Sequence, residues 1–384
     1  MKYISLLLHV YQPPTQDIRL VERIDRECYR PLSGLLASSG HGVGLNICYS
    51  LTEHLERLGS PTLERLSSAV DLEFTDSGAY HPIFPLVDRE DVVRQLRLNR
   101  EGNSRVLGSV YAPSGVFPPE MAYSEALPAV FRSLGYCWTV TDDLPWASSG
   151  RKVPCDSIPV SRGVSVLLRS NFWSNRISFH GEDGSKTADE ILSGMRKWTG
   201  EGDAYLLIAM DGETFGHHRR GAVENFLAPF LERIEVNPDM ELVTPGRLPD
   251  IFPELPVPVP SGSWSTTAPD MARGVPWPLW DDPDNRIHAH LWKLLREVRA
   301  AARSCTSERV AKHADKMLYS CPFWWASEGR FDALQVRRGL MAVLETARAV
   351  YDETGDRGML DSALTSAFTV PVVTGEDIAD AQEG

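Results

Sequence analysis

The stretch AYLLIAMDGETFG, residues 204–216, decides how the chain is read. An almost unbroken apolar run passes directly into Asp211, a glycine and Glu213. A strand buried on both faces of a parallel sheet reads this way, because neither face needs polar side chains. The first residues beyond the carboxyl end of such a strand are where α/β barrels carry their chemistry.

Similar short runs recur at 3–9, 42–49, 70–75, 136–141 and 240–244, with helix-like stretches at 50–66, 92–103 and 124–134. Strands alternating with helices predict a parallel sheet with right-handed crossovers. The segment 158–179 is less regular and reads as a hairpin decorating the barrel. From about residue 248 the composition turns to Pro, Gly, Ser and Trp, the mark of a long ordered connection. Beyond it Ile287, Leu291, Leu294, Leu295 and Val298 fall on one helical face, as do Leu340, Val343, Leu344 and Ala347. The expected organisation is a catalytic barrel over 1–250, a connecting loop over 251–283 that contributes to the cleft, a helical domain over 284–355 and an acidic flexible tail over 373–384.

A chain of 384 residues exceeds the roughly 250 of a lone α/β barrel, so a barrel with an extension fits. The formal charge of −13 disfavours nucleic acid as a partner, since phosphate contact needs clustered Lys and Arg. No apolar run approaches the ~20 residues of a membrane span, so no membrane partner is expected. The segment MKYISLLLHVYQPP lacks a small-residue cleavage site and reads as a first strand. Six cysteines (28, 48, 137, 155, 305 and 321) show no CxxC spacing, which suggests reduced thiols and a cytoplasmic address.

Two acids stand out. Asp211 closes the strongest apolar run, and Glu120 ends GVFPPE, where two prolines fix the backbone before the carboxylate. Cleavage of a glycosidic bond with retention needs two carboxyls, one as nucleophile and one protonating the leaving oxygen. Glu120 and Asp211 have the residue types for that pair, although a helix N-terminal acid and a strand-end cap would look the same. Tryptophans crowd the loops and strand ends, Trp264 and Trp280 among them, as platforms for sugar rings. For the adjacent Trp324 and Trp325 in the helical region, burial of at least one is expected. His9, His81, His180, His217 and His218 converge at one barrel mouth if their segments are βα loops. No HxxxH or HExxH pair supports a metal among them.

Taken in order, His9-Val-Tyr-Gln12-Pro13, Gly78-Ala-Tyr-His81, Phe117-Pro-Pro-Glu120, Met210-Asp211-Gly-Glu213-Thr-Phe215 and Trp280 with Asn285-Arg-Ile-His288 resemble the five conserved regions of glycoside hydrolase family 57. That resemblance implies a distorted (β/α)7 barrel followed by an all-helical C-terminal domain, and retaining hydrolysis or transglycosylation of α-1,4-linked glucans through a covalent glycosyl-enzyme. It implies Glu120 as nucleophile and Asp211 as general acid/base with a raised pKa. His9, Gln12, His81, Glu213, Trp264, Trp280, Asn285 and His288 would bind substrate, with His9, His81 and Trp280 lining the subsite of the reacting sugar. The partner implied is an α-glucan oligosaccharide or polysaccharide, with no cofactor and no metal. Asn285 also reads as the N-cap of the helix that follows. The chain departs from the commonest motifs in HVYQP, in Phe117 before the two prolines, and at Ser170 and Asn175, where relatives often carry Asp. Two other readings are a metal-dependent carbohydrate deacetylase on a related barrel, which would want an early Asp-Asp or an Asp with a paired HxxxH, whereas Asp142-Asp143 lies mid-chain with no HxxxH near it, and a non-catalytic α-glucan-binding protein.

Overall fold

The structure is a computed structural model that describes residues 1–38 and 42–367, so the acidic tail expected over 373–384 lies outside the described residues. Among the described residues ten strands form one sheet: β1 (Lys2–Val10), β2 (Val43–Ile47), β3 (Leu72–Thr75), β4 (Gly115–Val116), β5 (Trp138–Asp142), β6 (Ile158–Ser161), β7 (Val164–Arg169), β8 (Ala204–Asp211), β9 (Met240–Leu242) and β10 (Glu254–Pro256). Seven of them, β1, β2, β3, β4, β5, β7 and β8, pair in parallel around a ring that closes through an Asp76–Val116 bridge. β7 is therefore a barrel stave and not decoration. Its antiparallel partner β6 lies outside the ring, as do β9 and β10.

The alternation of side chains along each strand sorts the core into layers. In β1, Ile4, Leu6, Leu8 and Val10 pack outward against helices; in β8, Leu206, Ile208 and Met210 do the same. Leu7, Leu207 and Ala209 belong to the interior cluster with Phe117, Trp138, Val140 and Leu167. Following that period one step further puts His9 and Asp211 inside the barrel at its carboxyl end, directly paired in register. In β4, only two residues long, Gly115 lies under Trp138. A Cβ there would sit 2.0 Å from the indole, which is 1% exposed. Gly115→Ala is expected to cost about 1–3 kcal/mol by overpacking, read as a thermal midpoint several degrees lower.

Two seams of the ring rest on a single pair each, Asp76 with Val116 between β3 and β4 and Arg169 with Leu207 between β7 and β8. At the second seam side chains replace the missing ladder. The Arg169 Nε donates to Ala209 O at 2.7 Å, and the Ala209 N–H donates to Ser174 Oγ at 3.1 Å.

The helix expected over 50–66 is two helices, Tyr49–Leu58 and Pro61–Ser67, because Gly59 at φ +59° ends the first and Ser60 caps the second. The helical region contains Arg286–Arg303, capped by Asn285, then Glu308–Lys316 and Ala333–Thr354. Residues 357–367 are helical as well. Among the described residues no helix is long and apolar enough to cross a membrane.

Candidate active site

At the carboxyl ends of the strands lies a cleft of about 720 Å³, lined among others by His9, Tyr11, Gln12, His81, Glu120, Arg169, Asp211, Glu213 and Trp264. Glu120 follows Pro118 and Pro119 and occupies the left-handed region at φ 59°, ψ 17°, a conformation a glutamate holds only when its surroundings enforce it. Trp264 from the connecting loop supplies the enforcement. Its backbone N–H donates to Glu120 O at 3.3 Å, and its indole Nε1 donates to Glu120 Oε2 at 2.8 Å.

Asp211 ends β8 and faces the same space. Among the described residues nothing donates a hydrogen bond to its carboxylate, so the group is open to whatever enters the cleft. Arg169 is its nearest compensating charge, itself 3% exposed and held by Asp142 Oδ2 at 2.5 Å, Ala209 O and Asn175 Oδ1 at 2.9 Å. Asn175 thus serves the arginine that neighbours the acid. Glu213 also turns into the cleft, accepting from Tyr29 OH at 2.5 Å and from the Tyr11 N–H at 3.2 Å. Gln12 donates to the same Tyr29 hydroxyl at 3.0 Å.

The histidine wall is built by stacking. His9 lies 4.6 Å from Phe117 with the planes 5° apart, and Tyr11 lies 3.9 Å from His81 at 11°. His9 Nδ1 meets Asn46 Oδ1 at 2.7 Å, and His81 Nδ1 meets Ser320 Oγ at 2.9 Å. Burial lowers both imidazoles, His9 to about 4, so both are neutral. Their facing Nε2 atoms are 3.1 Å apart and share one N–H.

Burial raises all three cleft carboxyls. Glu120 reaches about 8, with the Asp211 charge adding to the rise and the Trp264 N–H opposing it. Glu213 also reaches about 8 through burial and Asp211. Asp211 reaches about 6, because Arg169 restrains the effect of burial. An acid role for Asp211 requires this direction, but Glu120 rises further, because Arg169 steadies only Asp211. Glu120 and Asp211 together hold one proton near neutral pH, and it rests more readily on Glu120.

Several residues fall elsewhere than expected. Trp280 does not line the cleft: it is fully buried, its Nε1 has no hydrogen-bond partner among the described residues, and it packs in the cluster of the helical region. His288 is 0% exposed and lies between the Asp282 N–H and Phe323 O. Asn285 caps its helix as expected, accepting from the Ile287 and His288 N–H groups and donating to Ala326 O, and lines a cavity beside the cleft. Trp324 and Trp325, expected to include a buried member, are both half-buried and both line the cleft. His218 lines it too, whereas His217 pairs with Glu27 at 3.0 Å and His180 is exposed. Arg169, Asn46 and Tyr29 escaped the sequence reading. Arg169 left a signal, since VSVLLR ends an apolar run on a polar residue just as AYLLIAMD does.

One trio among the described residues, His9, Cys48 and His81, brings its ligand atoms within 4.8 Å of one another. Its donor set suits a cation poorly: the imidazoles satisfy each other, burial drives the Cys48 thiol up, and no carboxylate belongs to it. The acid pair of the deacetylase reading is engaged elsewhere, Asp142 by Arg169 and Asp143 by the Asn171 N–H.

Residues 5–254 match the sequence profile of "Glycosyl hydrolase family 57". An alpha-amylase of Pyrococcus horikoshii is 28% identical over 147 residues, 37% of this chain and 23% of that protein. The 4-alpha-glucanotransferase of Thermococcus litoralis superposes with a TM-score of 0.71 at 18% identity, covering 90% of this chain and 60% of the other. The GH57-type branching enzyme of Pyrococcus horikoshii gives 0.71 at 14% identity, covering 95% and 94%. At these identities the two structures bear on the fold alone. The chain spans about a quarter of the length of the amylase it matches.

Proposed function

Since the chain belongs to glycosyl hydrolase family 57, we propose that it is a retaining glycoside hydrolase or transglycosylase acting on α-1,4-linked glucans. The observation that carries the reading is the meeting of Glu120 and Asp211 in one cleft, one carboxylate fixed by Trp264 and the other left open beside Arg169.

In the reactive state the single proton of the pair sits on Asp211. The indole N–H donated to Glu120 favours that arrangement, because it stabilises the charged carboxylate. Glu120 attacks the anomeric carbon while Asp211 passes its proton to the departing glycosidic oxygen. The C–O bond to the leaving chain breaks as the ester to Glu120 forms. Asp211, now a carboxylate, takes the proton from the incoming hydroxyl, which attacks the anomeric carbon and frees Glu120. His9 and His81, neutral and buried, with their ring nitrogens engaged by Asn46, Ser320 and each other, form a rigid wall of the cleft without adding charge. Tyr11, Trp264, Trp324 and Trp325 supply apolar faces for pyranose rings.

The pH dependence follows from the proton count. Above about 8 the shared proton is lost and no acid remains; below about 6 a second proton arrives and no nucleophile remains. The expected profile of kcat/KM is a bell with its plateau between about 6 and 8, and activity that keeps rising through pH 9 would contradict it. The reading is tested by incubating the protein, with and without EDTA, with maltoheptaose, glycogen and soluble starch. Shorter products alone mean hydrolysis, longer and shorter ones together mean transfer, and no product on any of them sinks the reading.

A further inference from the structure

A second cavity of about 940 Å³ adjoins the cleft and shares Ser265, Leu279 and Arg330 with its lining, so the two spaces lie side by side. One wall is polar and already ordered. Arg273 Nη2 pairs with Asp282 at 2.9 Å and Asp284 at 2.9 Å, and Asp270 lies 3.9 Å from its Nη1. Also lining the cavity is Phe331, 38% exposed, an aromatic ring left in contact with solvent.

Carboxylates and a guanidinium fixed in one another's hydrogen-bond geometry, with an aromatic surface in the same cavity, match the chemistry of a polyhydroxylated ring: hydroxyls on its edge, C–H groups on its face. A free phosphate or other anion fits poorly, because the three arginines that line the cavity, Arg273, Arg286 and Arg330, are outnumbered by Asp270, Asp282, Asp284 and Glu328. We propose that this groove holds sugar units of an α-glucan remote from the bond being cleaved, so that it sets the preference for long over short chains. The inference rests on the α-glucan reading above. No residue of the groove has a part in the chemistry.

The test compares Phe331→Ala and Arg273→Ala with the parent on maltotriose and maltoheptaose. Phe172→Ala, an exposed aromatic (56%) outside cleft and groove, serves as control. Each groove variant is expected to lower kcat/KM on maltoheptaose by roughly three- to tenfold and to leave maltotriose and the control unchanged. Calorimetric titration of the parent and Phe331→Ala with maltoheptaose reads the same difference in Kd without needing turnover. Equal losses on both substrates, or no change in kcat/KM and Kd on the longer one, overturn the groove assignment. A parent inactive on both sugars sinks the catalytic reading instead, and the Kd difference then decides the groove by itself.

Discussion

Glu120→Gln is expected to reduce turnover by roughly 10⁴-fold or more while making the protein relatively more stable at alkaline pH. The two effects have one origin. A nucleophilic carboxylate in this cleft must be buried, and burial raises its pKa from the ordinary 4.5 to about 8. For an acid raised on folding, the favourable contribution is complete below pH 4.5 and is lost as the pH climbs through 8. Above that value the folded protein carries an ionised carboxylate it would be more stable without. Glutamine keeps the shape and the oxygen that accepts from Trp264, but it cannot ionise or attack carbon. Thermal midpoints measured from pH 5 to 9 are expected to show the variant gaining on the parent as the pH rises. Retained turnover would remove Glu120 from the chemistry, and a variant that loses ground with rising pH would contradict the burial argument.

Arg169→Met is expected to destabilise the fold by about 3–5 kcal/mol, because it leaves Asp142 buried without its counter-ion. It also strips the donor from Ala209 O, two residues before Asp211 in a strand joined to β7 by one register pair. Activity should therefore fall along with stability. Adding Asp142→Asn removes the stranded charge and should restore a large part of the lost stability while activity stays low. Urea unfolding of the parent, the single and the double variant checks this. A single variant within about 1 kcal/mol of the parent, or a double variant no better than the single, would show that the ion pair is not what holds this seam.

The strands richest in apolar residues were legible because burial on both faces leaves little choice of residue. The runs 3–9 and 204–210 fall within β1 and β8, and the side-chain period then places His9 and Asp211 inside the barrel. β4 was not legible: two residues carry no period, and its place depends on the Asp76–Val116 bridge that only the closed ring creates. β7 was mistaken for decoration because its hairpin with β6 is local and its pairing with β5 is not.

The carboxylates of the site could be read from their positions at strand ends, but the groups that tune them could not. Trp264 reaches Glu120 across 144 residues and His81 reaches His9 across 72. No sequence spacing encodes such contacts. The tryptophans show the limit most clearly, since residue type reveals the size of an indole and not its direction. Trp280 turns into the helical core, while Trp324 and Trp325 turn to the cleft.

The central claim is that Glu120 bonds covalently to the sugar while Asp211 moves the proton. Asp211→Asn, which cannot take the proton from an acceptor, is mixed with an α-maltosyl fluoride, whose leaving group needs little acid assistance. The reaction is quenched in acid and the protein examined by intact mass and peptide mapping. The account predicts a glycosyl adduct on the peptide carrying Glu120, absent when Glu120→Gln is added. An adduct on another residue, or fluoride release with no adduct at any time point, would contradict it.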